Sequence, residues 1–496
     1  MKILLVNPME EQFLNLGLAY IISSIEKEHR VRLLDMVFHA RRYERYVLRI
    51  LAEDKPDVIG FSVTSFSFPY ALKIASLIKH HYPDIPLVYG GVHPTLLPEE
   101  TIRSPLVDVI CIGEGEDAFR EYLERLGKNQ SPEGVAGIWY KDEYGDVIRN
   151  PLRPFREDLD ALPFPNWDYW DMDKYLKFNE SFIGALRIFS SRGCPYSCTF
   201  CSNPAIREAI PGKFYRLRKP EKIIEEIKMD VSKYYNMGFK HLTFADEIFG
   251  LDLEHLQKLC TLYRKEGLTQ RLTWGCQTRA DVITEEWAQM VRQAGCAIVN
   301  LGIESGDQYI RMAVYNKKIT DEQIMETVRI LRENSILYRI NIIIGCPGDT
   351  RQTIENSFRL VKKLKPVFIT SSLYQPLEKT VLGEALLTSS HKRELYKRML
   401  REGVNFKIGL PVSHAKFLRV PGLNQVLLKM RIEKVWSFLI LGIELKGMIF
   451  VFDVLEYIMS LIRDNRPLFR ICSFNELEFH TTSRYIYDKY IYPHNR

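Results

Sequence analysis

The 496-residue chain is long enough for about three folding units, and its 46% hydrophobic and 26% charged residues exclude a mainly disordered, collagenous or coiled-coil protein. Nine cysteines are too sparse, and odd in number, for a disulfide scaffold, so thiols or metal ligands are the expected use. A net charge of +6 does not make the whole chain basic, but eleven Lys/Arg against three Glu between Ala385 and Val435 leave a local +8. An anionic substrate, a phospholipid face or nucleic acid would select that sign, while a solvated helix face is the ordinary reading.

In chain order, Met1–Val6 is a very short apolar run stopped by Asn7-Pro8, unlike a signal peptide, so a cytoplasmic protein is expected. Buried strands are predicted at Lys2–Val6, His29–Leu34, Val58–Val63, Leu87–Tyr89 and Val109–Ile112, separated by helical patterns such as Tyr70–His81 and Glu116–Leu126. This alternation predicts a doubly wound parallel sheet in a first domain, residues 1–130. Residues 131–180, with Pro151, Pro154, Pro163 and Pro165, read as a linker holding a small hairpin around Trp139–Ile148. Over residues 181–384 six further strands are predicted: Leu186–Ser190, Lys240–Phe244, Leu272–Cys276, Ala297–Ile303, Tyr338–Ile344 and Val367–Leu373. Helices Pro220–Met237, Leu253–Glu266, Glu285–Gln293, Asp321–Asn334 and Thr350–Leu364 alternate with them. Two units short of eight, the pattern predicts a partial (β/α)6 barrel of the TIM type. Residues 385–496 read as a mainly helical C-terminal region, in which Trp436–Phe452 is too short and too interrupted by Glu444 and Lys446 to span a membrane.

The strongest motif is Arg192-Gly193-Cys194-Pro195-Tyr196-Ser197-Cys198-Thr199-Phe200-Cys201, directly after the first barrel strand. Three thiolates at C-x3-C-x2-C suit an iron–sulfur cubane with one iron left for another molecule. The alternatives are a zinc site missing a ligand, or three unrelated buried thiols. Acidic, hydroxyl and glycine-rich segments recur at later strand ends, where parallel barrels place their chemistry: Ala245-Asp246-Glu247, Thr278-Arg279, Leu301 to Gly306 with Glu304 and Ser305, and Ile344-Gly345-Cys346-Pro347-Gly348.

These motifs together resemble the radical S-adenosylmethionine superfamily over most of residues 184–380. The resemblance implies that Cys194, Cys198 and Cys201 bind a 4Fe–4S cluster whose open iron is chelated by S-adenosylmethionine. It further implies that Phe200 borders the adenine, that Asp246 and Glu247 face the cofactor's ammonium, that Glu304 binds ribose hydroxyls and that Gly345 turns beside the adenine, with Thr278, Arg279 and Ser305 at neighbouring strand ends. Relatives often carry Pro-x-Pro-Gly-Thr after the sixth strand, where this chain has Gln375-Pro376-Leu377-Glu378-Lys379-Thr380.

At the strand ends of the first domain stand Ser62, Thr64, Ser65, Gly90, Gly91 and Gly113 to Glu116, positions where open α/β sheets bind ligands. The domain resembles the cobalamin-binding domain that precedes many such barrels. On that resemblance Ser62, Thr64 and Ser65 line the slot for the nucleotide tail, Gly90 and Gly91 lie opposite, and His93 is a tail contact. Met9–Gly17 holds no His where other cobalamin domains carry Asp-x-His-x-x-Gly, so cobalamin without a histidine axial ligand from that loop is expected. A scaffold domain, or one binding another nucleotide, is the alternative.

The resemblance implies reductive release of a 5′-deoxyadenosyl radical and, with methylcobalamin, radical methyl transfer to an unactivated carbon of a small-molecule or lipid-like substrate. A ring-forming or oxidative enzyme with the same cofactors is the alternative, and an RNA-modifying protein a second one. The last has little support, because residues 1–150 contain only Cys111 and no second cluster set. An external one-electron donor such as flavodoxin or ferredoxin is implied, and peripheral membrane contact through the C-terminal region is compatible with its basic segment.

Overall fold

The structure is a computed structural model that describes residues 1–8, 14–39, 43–178 and 186–387. The basic segment after Leu387, Trp436–Phe452 and most of the loop Met9–Gly17 lie outside the described residues. The chain divides into two units: the first comprises Met1–Thr278, Glu286–Ala297 and Pro376–Ala385, and the second includes Arg279–Glu285 and Ile298–Gln375.

In the first unit, short apolar runs become strands, the inner ones buried on both faces and the edge strand Arg30–Asp35 only in part. They are β1 (Lys2–Asn7), β2 (Arg30–Asp35), β3 (Val58–Ser62), β4 (Leu87–Gly90) and β5 (Val109–Cys111), parallel in the order β2-β1-β3-β4-β5. Ile3 to Val6 are all at most 2% exposed, and each such aliphatic side chain contributes roughly 1.5–3 kcal/mol of burial. The order reverses between β1 and β3, the switch point at which doubly wound sheets open a ligand crevice.

The hairpin expected in the linker does more than connect. Its strands β6 (Ile138–Lys141) and β7 (Val147–Arg149) add antiparallel to β5, so the sheet has seven strands and is mixed. The reason is hydrogen bonding: β5 is three residues long, and pairing Val109 with Tyr140 and Cys111 with Ile138 satisfies its outer backbone groups. Asn150 fastens the hairpin, accepting from Gly134 N (2.8 Å) and donating to Pro132 O (2.9 Å) and Ile138 O (2.8 Å).

The second series of strands is β8 (Leu186–Ile188), β9 (Ser191–Arg192), β10 (Arg216–Leu217), β11 (His241–Phe244), β12 (Thr273–Thr278), β13 (Cys296–Glu304), β14 (Leu337–Ile344) and β15 (Phe368–Leu373). Six of them follow the parallel order β15-β14-β13-β12-β11-β8 expected of the partial barrel. β9 and β10 form a separate two-residue antiparallel ladder, which the apolar periodicity did not announce.

Helix boundaries follow local chemistry. Pro220–Tyr234 starts with Pro at its first position and Glu221 in its first turn, and buries Ile223, Ile224, Ile227, Val231 and Tyr234 along one stripe. Asp321–Glu333 is opened by a capping box between Thr320 and Gln323. The buried stripe of Pro220–Tyr234 also carries Glu226 and Asp230, 0% and 1% exposed. Glu226 pairs with Arg218 at 2.6 Å, whereas Asp230 has no charged partner at ion-pair distance among the described residues and only the Trp167 ring N–H nearby, without good hydrogen-bond geometry.

Burial, and next the Glu226 charge, hold Asp230 well above the usual carboxylate range. A carboxyl raised on folding contributes stability at low pH that is lost as pH climbs from its unfolded value through its folded one, at about 1.4 kcal/mol per unit. The Asp230→Asn variant is therefore expected to gain thermal midpoint over wild type progressively as pH rises above the ordinary value of 3.8. Parallel melting curves over that rise check this, and a constant difference would contradict it.

Candidate functional site

The three cysteines of the motif are half-buried, unbridged thiols on the loop that leaves β9. A tight turn brings Cys201 N to donate to Cys198 O at 3.1 Å. Gly193 precedes it with φ +88°, and a Cβ there would stand 2.3 Å from Phe214 O, so only glycine lets the loop start beside the 214 peptide. Among the described residues no three His, Cys, Asp or Glu side chains converge as ligands of a single ion. A cubane does not require that, because each thiolate takes a different iron. Three half-buried, unbridged sulfurs on one pinned loop therefore fit a cluster held at three corners.

The end of β11 supports this loop. Asp246, 2% exposed, accepts from Ser190 N (3.1 Å), Ser190 Oγ (2.7 Å) and Ser191 Oγ (2.5 Å), and Glu247 Oε2 accepts from Gly193 N (3.1 Å). Burial raises Asp246 above the usual carboxylate range, against hydrogen bonds that favour its charged form. Burial, then the Asp246 charge, pushes Tyr215 up to about 12. Both expected acidic residues thus reach the cysteine loop: Asp246 grips the strand entering it and Glu247 its first peptide.

A second brace was not foreseen. Leu382 N donates to Thr199 O at 2.9 Å, between Cys198 and Cys201. The departure from the Pro-x-Pro-Gly-Thr pattern therefore falls in a segment that touches the cysteine loop. There Thr380 Oγ1 donates to Leu377 O (2.7 Å), and a Cβ on Gly383 would lie 1.8 Å from the same oxygen.

Thr278, at the end of β12, is buried and donates through Oγ1 to Phe249 O at 2.9 Å. In the second unit Arg279 forks onto Asp281, Nε to Oδ1 at 2.9 Å and Nη2 to Oδ2 at 2.8 Å. Glu304 ends β13 at φ +67°, a conformation unusual for a side-chain-bearing residue. Its Oε1 accepts from Lys317 Nζ at 3.0 Å, with the lysine side chain 7% exposed. A Cβ on Gly302 would meet that same oxygen at 2.3 Å and Lys317 Nζ at 2.8 Å, so the pair occupies space only a glycine leaves.

Ser305 Oγ accepts from Asp307 N (3.1 Å), and the wholly buried Arg311 donates to Ser305 O (2.6 Å) and Ile319 O (2.7 Å) and pairs with Asp321. Gly345 turns at φ +82° and donates to Asp349 Oδ2 at 2.8 Å. Lys317 and Arg311 escaped the sequence reading, because they lie outside the strand-end motif and meet it only through folding.

At the crevice of the first sheet, Ser62 and Gly90 are register partners on β3 and β4. Ser62, Thr64, Ser65, Gly90 and Gly91 are all half-buried. Thr64 N donates to Ser67 Oγ (3.0 Å), and Ser65 Oγ lies 3.1 Å from His93 Nδ1, whose ring stacks on Phe68 at 4.0 Å. Gly91, at φ +100°, would place a Cβ 2.6 Å from Val63 O. Phe66 and Val92 stand at the same strand ends with 48% and 38% of their surface exposed. Hydroxyls, side-chain-free backbone and uncovered apolar groups at a switch point fit a large, flat, partly apolar cofactor.

Burial pushes the thiols of Cys111, Cys260 and Cys346 up to about 12 and also raises Cys276, which disfavours the reactive thiolate at all four.

Comparison with known proteins agrees with this geometry. The family model for the B12 binding domain matches residues 3–123, and that for the Radical SAM superfamily matches residues 188–361. An uncharacterized methyltransferase of Pyrococcus horikoshii is 30% identical over 400 residues, covering 79% of this chain and 84% of the relative. An anaerobic magnesium-protoporphyrin IX monomethyl ester cyclase of Rubrivivax gelatinosus is 29% identical over 331 residues, covering 65% of this chain and 57% of its own length. Among solved structures, the radical S-adenosylmethionine methyltransferase TsrM of Kitasatospora setae, with cobalamin and a 4Fe–4S cluster bound, matches 78% of each chain at 21% identity and a TM-score of 0.65, a likeness of fold.

Proposed function

The chain belongs to the radical S-adenosylmethionine superfamily, and because a B12-binding domain precedes its barrel we propose that it is a cobalamin-dependent enzyme that methylates an unactivated carbon of a small-molecule or lipid-like substrate. The observation that carries this reading is the pinned three-thiol loop within one chain that also presents the hydroxyl- and glycine-lined crevice.

With the cluster, S-adenosylmethionine and cobalamin bound, the chemistry supplied is reductive cleavage of a sulfonium carbon–sulfur bond to a 5′-deoxyadenosyl radical, together with a transferable methyl group. The residues of the chain bind, orient and exclude water. Cys194, Cys198 and Cys201 hold the cluster, while Asp246 and Glu247 fix the backbone that carries them. For S-adenosylmethionine, Phe200 and Thr278 in the first unit would offer an adenine border and a strand end, and in the second unit Gly345 would border the adenine, Glu304 would receive the ribose hydroxyls and Arg279 and Ser305 would shape the strand ends. Ser62, Thr64, Ser65, Gly90, Gly91 and His93 would line the slot of the cobalamin tail, and Phe66 and Val92 would offer apolar surface to its ring. Met9–Gly17 contains no histidine, so that loop would offer cobalt no imidazole.

An external one-electron donor of the flavodoxin or ferredoxin type and a cytoplasmic setting complete the proposal. No helix among the described residues is long and apolar enough to cross a membrane. Peripheral membrane contact would fall to the basic segment after Leu387.

Anaerobic reconstitution followed by iron, sulfide and cobalt analysis tests the cofactor set. Product analysis tests the reaction: S-adenosylhomocysteine alongside 5′-deoxyadenosine is expected. Ring closure with the same cofactors, favoured by the likeness to the cyclase, predicts 5′-deoxyadenosine alone.

The Lys317–Glu304 pair makes a separate prediction. Lys317→Met leaves the Glu304 carboxylate, 12% exposed, without its counter-charge and free to turn from the ribose. S-Adenosylmethionine binding to the cluster-loaded protein is expected to weaken about tenfold, roughly 1.4 kcal/mol, by calorimetric titration. Unchanged affinity would remove Glu304 from the ribose site.

A further inference from the structure

Arg192 stands two residues before Cys194, and its guanidinium is gripped on two edges. Nη1 donates to Glu114 Oε1 at 2.9 Å and Nη2 to Glu116 Oε1 at 2.6 Å. Its face lies over Phe189, 4.6 Å from the ring centre, and over Tyr20 at 5.2 Å. Directly across the β9–β10 ladder is a second arginine, Arg216, and like charges facing each other across strands are destabilising. Glu114 resolves the conflict: its other oxygen, Oε2, accepts from Arg216 Nη1 at 2.8 Å and from Arg156 N at 2.8 Å. The arginine side chains are 18% and 4% exposed and those of Glu114 and Glu116 are 18% and 8%, so the four charges are largely shielded from water. Both glutamates belong to Gly113-Glu114-Gly115-Glu116, at the end of β5 in the segment matching the B12 binding domain, whereas both arginines belong to the segment matching the radical barrel.

Resting on the cluster reading above, we propose that Glu114 and Glu116 are positioning residues for the cluster loop: the cobalamin-binding segment supplies the counter-charges that fix the cysteine-bearing hairpin and set the electrostatic potential at the cluster. The two arginine charges of the ladder are balanced by two negative ones from the other segment. Neutralising a glutamate leaves a net positive charge beside the loop, which favours the reduced cluster. Neutralising Arg192 leaves a net negative one, which disfavours it. Mere loosening of the loop has no reason to move the potential in opposite directions for the two changes.

The test is an EPR-monitored titration, with dithionite as reductant, of the one-electron couple of the reconstituted cluster in the full-length protein. Glu116→Gln is expected to shift the midpoint to more positive values, Arg192→Gln to more negative ones, and Glu116→Asp, which keeps the charge, to stay within error of wild type. Iron and sulfide content is measured for each. Shifts of the same sign, or none, in cluster-loaded variants would overturn the proposal. If Glu116→Gln takes up no cluster, normal loading of Glu116→Asp supports the proposal and failure of both overturns it. A wild-type protein without a cluster would bring down the reading beneath it as well.

Discussion

Replacing Cys194, Cys198 or Cys201 singly by alanine is expected to eliminate both the cluster and every radical product. A cubane bound through three protein sulfurs has no protein ligand to spare, and each thiol sits on the same short turn, with Cys201 N bonded to Cys198 O. The loop around them is held by three separate parts of the chain: Phe214 against Gly193, Asp246-Glu247 on Ser190, Ser191 and Gly193 N, and Leu382 on Thr199. The polypeptide should therefore stay folded when a single sulfur is lost. Anaerobically purified variants should show wild-type far-ultraviolet dichroism, lack the charge-transfer absorption of an iron–sulfur centre and form no 5′-deoxyadenosine. Because the three ligands act as one unit, the triple variant should be no worse than any single one. A single variant that retains stoichiometric iron and sulfide would contradict the assignment.

The largest expected loss of stability is at Glu226. Its carboxylate is 0% exposed and pairs with Arg218, 2% exposed, at 2.6 Å. Arg218 also donates to Phe189 O at 3.1 Å and to Tyr20 Oη at 3.3 Å, so it ties the segment after β10 to the strand leading to the cysteines and to the first helix of the cobalamin-binding segment. Glu226→Ala strands a guanidinium away from water, at a cost of about 3–5 kcal/mol. For a folding unit of this size that corresponds to a fall in midpoint on the order of 10 °C. The paired change Glu226→Met with Arg218→Met removes both charges and is expected to recover most of the loss, since buried ion pairs gain little over apolar packing. Thermal unfolding of wild type and the two variants decides the point: a double variant as unstable as Glu226→Ala would show that shape, and not the stranded charge, is responsible.

The parallel strands of both series and the long helices of the barrel were legible in the sequence because their signals are local. Continuous runs such as Ile3-Leu4-Leu5-Val6 announce strands buried on both faces. Pro220 and Thr320 mark helix starts through backbone chemistry contained within a turn. The cysteine triad was legible for the same reason, its spacing being complete within eight residues.

What escaped depends on partners distant in sequence. The β9–β10 ladder joins Arg192 to Arg216 with two residues per strand, too few for any periodicity. Arg192 meets Glu114 across 78 residues, and Lys317 reaches Glu304 from beyond the helical turn at Ile310–Val314. Neither pairing leaves a trace in composition. Asp246 and Glu247 were legible as strand-end acids, but their hold on the backbone of the cysteine loop is a property of the folded chain alone.

The seven-stranded sheet ends in β2 on one side and β7 on the other. Each margin bears arginines held by neighbouring acids: Arg30 and Arg32 with Asp54 on β2, and Arg149 with Glu99 on β7. An approaching strand from a second molecule would have to displace those ion pairs before it could hydrogen-bond, a barrier that proteins use against fibrous self-association. Concentrated, oxygen-free preparations of this chain should accordingly resist growth by lateral strand addition along this sheet.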